Sequence, residues 1–286
     1  MDGKLAEFIE AKIKEFTASE ANSMQKETLE PAWAEPLIGV SSGADPLYTF
    51  YKSHIGDFHL TPLEFLRHKY PDDAFSAEEV SVVSWVLPQT KATKADNREE
   101  KFLPSERWAR SRIYGGEFNN ALRRELEEAL EVEGIKAVSP MISPVWKFIK
   151  SEKHGLASNW SERHAAFAAG LGTFSLSDGL ITPVGKAHRL GSIIVAKGIE
   201  PSKRLYEGHA EHCLFYQNGS CGKCIERCPI GAITKEGHDK ALCQRYVDMT
   251  WQYVERAHHF KGYGCGLCQT GVPCESKIPK RKASFN

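Results

Sequence analysis

Cys221-Gly-Lys-Cys224-Ile-Glu-Arg-Cys228-Pro229 is the stretch on which the reading of this chain turns. The spacing C-x2-C-x3-C-P lets a short backbone surround an iron–sulfur cubane, and the last cysteine of such a run often serves a second cluster. All eight cysteines of the 286 residues lie between Cys213 and Cys274, and the first 212 residues have none. Downstream of the motif stand Cys243, Cys265-Gly-Leu-Cys268 and Cys274. Eight thiolates hold two [4Fe–4S] clusters with none left over. The usual two-cluster pattern has one more cysteine three residues before the motif, where this chain carries Asn218. Cys213 is expected to replace it, with Gly219 allowing the loop to return. Sharing ligands crosswise, one cluster would take Cys213, Cys221, Cys224 and Cys274, and the other Cys228, Cys243, Cys265 and Cys268. Paired C-x2-C elements also build zinc sites, but as separated doublets, a spacing the tight triplet before Pro229 does not follow.

Composition places the rest of the molecule. The chain is 41% apolar and 26% charged, the profile of an ordinary globular protein of about two domains. Net charge is zero, so the totals give no reason to expect a nucleic-acid or membrane partner. Residues 201–286 hold thirteen Lys and Arg against eight Asp and Glu. That excess would offset two cubanes of about −2 each, although ordinary scatter of surface charge accounts for it equally. The N-terminus reads as an amphipathic helix with Leu5, Phe8, Ile9, Ile13 and Phe16 on one face, not as a secretory leader. With no apolar run long enough to span a bilayer, a cytoplasmic location and reduced thiols are expected, which disfavours disulfides.

Periodicity supplies the elements. Pro62–Lys69 is expected as a helix capped by Thr61, Val80–Leu87 as a buried strand, and Gln89–Lys101 as loop. Phe118, Leu122, Leu126 and Leu130 mark the apolar face of a helix over Glu117–Leu130, ended by Gly134. A strand at Ile135–Ser139, a helix at Ser161–Ala169 and a buried strand at Leu190–Ala196 follow. Residues 29–75 otherwise read as loops and short elements. The fold class is α+β: an α/β domain over residues 1–200, followed by a small ferredoxin-like domain over residues 201–286.

The cysteine block resembles the epoxyqueuosine reductases and their relatives, the reductive dehalogenases, chiefly over residues 159–274. Glu162-Arg163, Ala169-Gly-Leu-Gly172 and the strand near Gly191-Ser-Ile-Ile precede the cysteines in that family's order, and Gly115-Gly-Glu-Phe-Asn119 is a weaker match. The resemblance implies a nitroreductase-like α/β domain that binds base-off cobalamin, with two [4Fe–4S] clusters reducing the cobalt to Co(I). Gly170, Leu171, Gly172 and Thr173 would then lie along the corrinoid, although Gly170 is equally a helix C-cap. Where the family's reductases place a proton-donating aspartate, this chain has Leu156, and residues 154–160 contain no carboxylate. Tyr114, with Arg110 and Arg112 nearby, His154 and His164 are the candidate proton donors in its place. The implied activity is an iron–sulfur, corrinoid-dependent reductase acting on a small or unidentified substrate other than epoxyqueuosine in tRNA. A soluble donor such as ferredoxin or flavodoxin would supply electrons, docking on Lys277, Lys280, Arg281 and Lys282. The alternatives are a ferredoxin-type electron carrier, a reductive activator of a corrinoid protein, and a flavin in place of the corrinoid.

Overall fold

The computed structural model describes residues 2–26 and 28–280, so Arg281 and Lys282 of the basic tail lie outside the described residues. In chain order the first elements are α1 (Asp2–Ala18), β1 (Leu37–Ser42), α2 (Pro46–Ile55), α3 (Pro62–Lys69), β2 (Ser81–Pro88), α4 (Lys91–Glu99) and α5 (Glu106–Val132). Then come β3 (Ala137–Val138), β4 (Phe148–Ser151), β5 (Gly155–Ser158), α6 (Glu162–Ala168), β6 (Thr173–Phe174), β7 (Leu180–Ile181) and β8 (His188–Val195). The cysteine-bearing part contains α7 (Leu214–Asn218), α8 (Lys223–Glu226), β9 (Ile233–Thr234), β10 (Gly237–His238) and α9 (Lys240–His258). Two compact units form. One comprises residues 1–87, 114–171 and 189–205, and the other residues 88–113, 172–188 and 206–286. The chain therefore does not divide at a single boundary near residue 200: two earlier segments join the cysteine-rich one.

The first unit is built on a sheet of order β1-β2-β8-β3, with β1 antiparallel to β2 and β3 antiparallel to β8. β2 is buried along its whole length, as its β-branched run implies. Phe118, Leu122, Leu126 and Leu130 of α5 are each at most 3% exposed and pack with Ile9, Ile13, Trp33, Trp85 and Ile193. Burying each such side chain contributes roughly 1.5–3 kcal/mol, so this stripe dominates the unit's stability. Leu5, Phe8 and Phe16 flank the same core, as the N-terminal pattern requires. Gly191 is obligatory in β8, because a Cβ there would sit 2.2 Å from the Trp85 ring.

A polar chain threads this core. Trp85 Nε1 donates to Asn119 Oδ1 (2.8 Å), and Asn119 Nδ2 donates to the Leu190 carbonyl (3.0 Å). The Arg123 guanidinium pairs with Glu162 at 2.7 Å, and Ser192 Oγ donates to the same carboxylate. Both members of the pair are largely buried, so each needs the other to offset its lost hydration.

α3 starts as expected: Thr61 Oγ1 accepts from the Glu64 amide, and the Glu64 carboxylate accepts from the Thr61 amide, a capping box. Three expectations are corrected. Residues 91–99 are helix rather than loop, because Thr90 caps the segment by accepting from the Thr93 amide. α5 begins eleven residues before the expected Glu117. Residues 29–75 also contain the full strand β1 and α2, the latter capped by Asp45 and begun by Pro46.

The second unit holds two short strand pairings, β6 with β7 and β9 with β10, both antiparallel. Its core is a cluster of Leu176, Ile181, Ile233, Cys213 and Cys224, flanked by Cys228, Cys268 and Cys274. The cysteines are themselves the core of this unit.

Candidate metal centres

All eight cysteines are free thiols, buried or half-buried. Cys213 is the N-cap residue of α7, and Gly219, with φ +70°, ends that helix and turns the chain back toward Cys221. Asn218 instead uses its Oδ1 to accept from the Ser220 amide (3.0 Å), closing the turn. Cys213, Cys221, Cys224 and Cys274 line one cavity together with Ser175, Ile181 and Lys186.

The other four come from three separate pieces of backbone. Cys228 follows α8, and its Sγ accepts from the Ala232 amide at 3.2 Å. Cys243 lies in the first turn of α9, a helix capped by Asp239 accepting from the Leu242 amide (2.8 Å). Cys268 lies in a 3₁₀ turn, Leu267–Gln269, entered through Gly266 at φ +66°, and Cys265 stands just before it. Gly266 is required there, since a Cβ would fall 1.8 Å from the Trp108 ring.

The thiols lie within electrostatic reach of one another. Burial pushes the Cys265 thiol up to about 12, with Cys268, Cys243 and Cys228 adding to the shift. Burial lifts Cys243 to about 11, reinforced by Cys268 and Cys228. In the other set burial raises Cys274 to about 11; Lys186 opposes the shift, while Cys213, Cys224 and Cys221 reinforce it. These thiols stay protonated near neutrality until a metal displaces the protons. Among the described residues no three His, Cys, Asp or Glu side chains converge on a point as a single ion would require.

Two side chains unremarked in the sequence complete the site. Arg227, between Cys224 and Cys228, donates to the carbonyls of Leu267 (3.1 Å), Thr270 (3.0 Å), Glu100 (2.8 Å) and Asn97 (3.0 Å). Asn97 in turn donates to the Cys265 carbonyl (3.3 Å). α4 is thus fastened to the ligand loops by polar atoms alone. The second residue is Lys186, only 2% exposed, whose neighbouring charges are Cys274, Cys268, Cys224 and Cys213. The only sequence signal for either was position: Arg227 sits inside the motif, and Lys186 follows a glycine turn.

The four residues expected along a corrinoid are taken up by the chain's own packing. Gly170 has φ +77°, and a Cβ there would meet the Lys203 carbonyl at 2.9 Å. Gly172 lies against the Ile181 carbonyl, where a Cβ would come within 2.2 Å. Leu171 is 7% exposed, and Thr173 Oγ1 accepts from the His212 amide (2.8 Å). The proton-donor candidates stand apart. Tyr114 is half-buried on α5; Arg110 pairs with Glu106 (2.6 Å) and lies over the Phe260 ring, while Arg112 lies over Tyr263. Both guanidiniums thus have other partners. His154 sits at the β4–β5 turn with Nε2 against the His54 carbonyl (3.1 Å), near Leu156, which is 44% exposed. His164 Nδ1 contacts Ser161 Oγ (2.8 Å), and its ring meets Tyr51 edge-on at 4.7 Å. Glu162 is committed to Arg123 inside the first unit.

No protein-family model matches the chain. Over 119 residues, 40% of its length, it is 30% identical to the epoxyqueuosine reductases of Bacillus cereus and Bacillus anthracis. Over that segment the chain is similar to the epoxyqueuosine reductases. The matched segment spans 29% of the length of those curated relatives. Its fold is shared with epoxyqueuosine reductase from Bacillus subtilis, solved with the catalytic loop swung out of the active site. The TM-score is 0.54 at 19% identity, over 98% of this chain and 68% of that one. A reductase structure bound to an epoxyqueuosine-modified tRNA-Tyr stem loop gives the same values. The catabolic reductive dehalogenase NpRdhA matches at TM-score 0.52 and 14% identity, over 95% of this chain and 36% of that one. The tRNA complex corrects one expectation from composition. A neighbour of this fold binds a tRNA stem loop, so zero net charge is no ground for excluding a nucleic-acid partner: local charge, not the total, governs phosphate contact. Among the described residues no helix is long and apolar enough to cross a membrane.

Proposed function

We propose that the chain is an iron–sulfur oxidoreductase holding two [4Fe–4S] clusters, one on Cys213, Cys221, Cys224 and Cys274, the other on Cys228, Cys243, Cys265 and Cys268. The observation that carries this reading is eight free thiols, all buried or half-buried, of which Cys213, Cys221, Cys224 and Cys274 line one cavity. The clusters would supply one-electron transfer from a soluble donor such as ferredoxin or flavodoxin. What the protein supplies is visible in its own residues. Burial keeps water from the sulfurs, the Ala232 amide donates to Cys228 Sγ, and the Arg227 bonds hold the ligand loops in register. Hydrogen bonds to sulfur and exclusion of solvent are the terms that set cluster potential.

In this reading the second unit is ferredoxin-like, the first is nitroreductase-like, and the resemblance makes the electron acceptor a corrinoid. A bound corrinoid would supply the nucleophilic metal that attacks the substrate. Gly170, Leu171, Gly172 and Thr173 offer it nothing the fold does not already use, so no step is derived through it. With Leu156 in place of a carboxylate, the proton must come from another side chain, and Tyr114, His154 and His164 remain the candidates.

Anaerobic purification followed by iron, acid-labile sulfide and cobalt analysis tests the proposal. About eight iron and eight sulfide per chain are expected. Zinc without sulfide would overturn the cluster assignment. Iron and sulfide with no cobalamin retained after reconstitution would leave an electron carrier, and a flavin absorption spectrum would replace the corrinoid.

A further inference from the structure

Lys186 is a long cation in a place where cations are rarely left. It is 2% exposed. Its Nζ donates to Ser177 Oγ at 2.9 Å, and its amide donates to the Cys274 carbonyl at 2.8 Å. Among the described residues no carboxylate pairs with or hydrogen-bonds to it. An ammonium taken out of water with no counter-charge costs several kcal/mol, so a fold that fixes one in its interior has an anion beside it. The surrounding groups able to carry negative charge are thiols from both sets: Cys213, Cys224 and Cys274 of one, and Cys268 of the other. Cys224 and Cys268 also lie within electrostatic reach of each other, so Lys186 stands beside members of both sets.

We propose that Lys186 is a built-in counter-ion shared by the two clusters, a positioning residue that holds their reduction potentials up. The inference rests on the cluster reading given above. A cubane on four thiolates carries about −2 when oxidised and about −3 when reduced. A fixed positive charge in a poorly polarisable interior therefore stabilises the reduced form more than the oxidised one. Facing both sets, it raises both potentials.

The test is an EPR-monitored redox titration of the anaerobically purified full chain, with iron and sulfide measured on each sample. Lys186→Met removes charge and hydrogen bond together. Lys186→Gln removes the charge and keeps a donor for Ser177 Oγ, and Lys186→Arg keeps the charge. In both neutral variants the one-electron equilibrium is expected to shift toward the oxidised form at least tenfold, a fall of 59 mV. Lys186→Arg is expected to stay within threefold of the wild type. Loss of clusters in both neutral variants with retention in Lys186→Arg also supports the counter-ion role. Unchanged potentials in Lys186→Gln, or loss of clusters in all three, overturns it, since shape rather than charge would then be what the site requires. Absence of sulfide from the wild type is a different failure, that of the cluster assignment, and shows before any variant is made.

Discussion

Replacing Gly185 with alanine should dismantle one metal centre without touching a ligand. Gly185 has φ +87°, and a Cβ built there would lie 2.1 Å from the Glu275 carbonyl oxygen and 2.3 Å from the Ser276 nitrogen. The left-handed conformation costs a non-glycine residue about 1–2 kcal/mol. The clash is with backbone, so no rotamer relieves it, and the segment carrying Cys274 must retreat by about 1 Å to reach van der Waals contact. Retreat breaks Lys186 N–H to Cys274 O (2.8 Å) and Ala187 N–H to Glu275 O (3.2 Å), each contributing about 1 kcal/mol. The total is about 3–4 kcal/mol, a large part of a typical domain's stability. Gly219→Ala is the matched control: φ there is +70°, but nothing lies within 4 Å of the added carbon, so only the conformational cost of about 1–2 kcal/mol applies. Iron content and urea unfolding of both purified variants make the comparison. Gly185→Ala should lose the iron held through Cys274, falling from about eight to about four per chain, while Gly219→Ala keeps its full complement. Equal stability and equal iron in the two variants would refute the reasoning.

Three further outcomes follow from the same structure. Cys221→Ser and Cys265→Ser should each lower iron by about half but remove different EPR signals, because the two cysteines lie in different sets; a common signal lost in both would refute the partition. Arg227→Met should lower the unfolding midpoint by about 2–4 kcal/mol equivalent, since four carbonyl acceptors lose a charged donor at once; a loss under about 1 kcal/mol would show that water replaces it. His59, 3% exposed, has its pKa lowered by burial to about 4, and its Nε2 has no acceptor for a proton. A histidine depressed in the fold protonates first in the unfolded chain, so its contribution is intact above about pH 6.5 and is lost as pH falls toward 4. The wild type should therefore lose about 2 kcal/mol more than His59→Gln between pH 7 and pH 5, measured by denaturant unfolding.

The parts of the fold legible in the sequence were those whose cause is local. The four-residue spacing of Phe118, Leu122, Leu126 and Leu130 needs no partner to be read, nor does the Thr61–Glu64 cap. The tight spacing of Cys221, Cys224 and Cys228 is equally local, which is why a cluster-binding run could be read from it. α4 was hidden because its buried face is Thr93 and Asn97, and its docking is polar, through Asn97 and Arg227. β1 was hidden because Gly39 looks like a turn, whereas a Cβ there would strike the Ala169 carbonyl at 2.5 Å. Lys186 was invisible for a subtler reason: a lone lysine after a glycine reads as solvated surface, and only the tertiary fold shows that water does not reach it.

The Arg227 fastening has a consequence for how the molecule is made. Residues 97–100, which accept its hydrogen bonds, are synthesised more than a hundred residues before Arg227 itself. The segments 88–113 and 172–188 therefore leave the ribosome with their partners still untranslated. They stay uncommitted until Cys213 to Cys274 have followed, so this unit closes late. A fragment cut at residue 201 would carry every thiol and yet lack both the helix that steadies the ligand loops and the lysine buried among them.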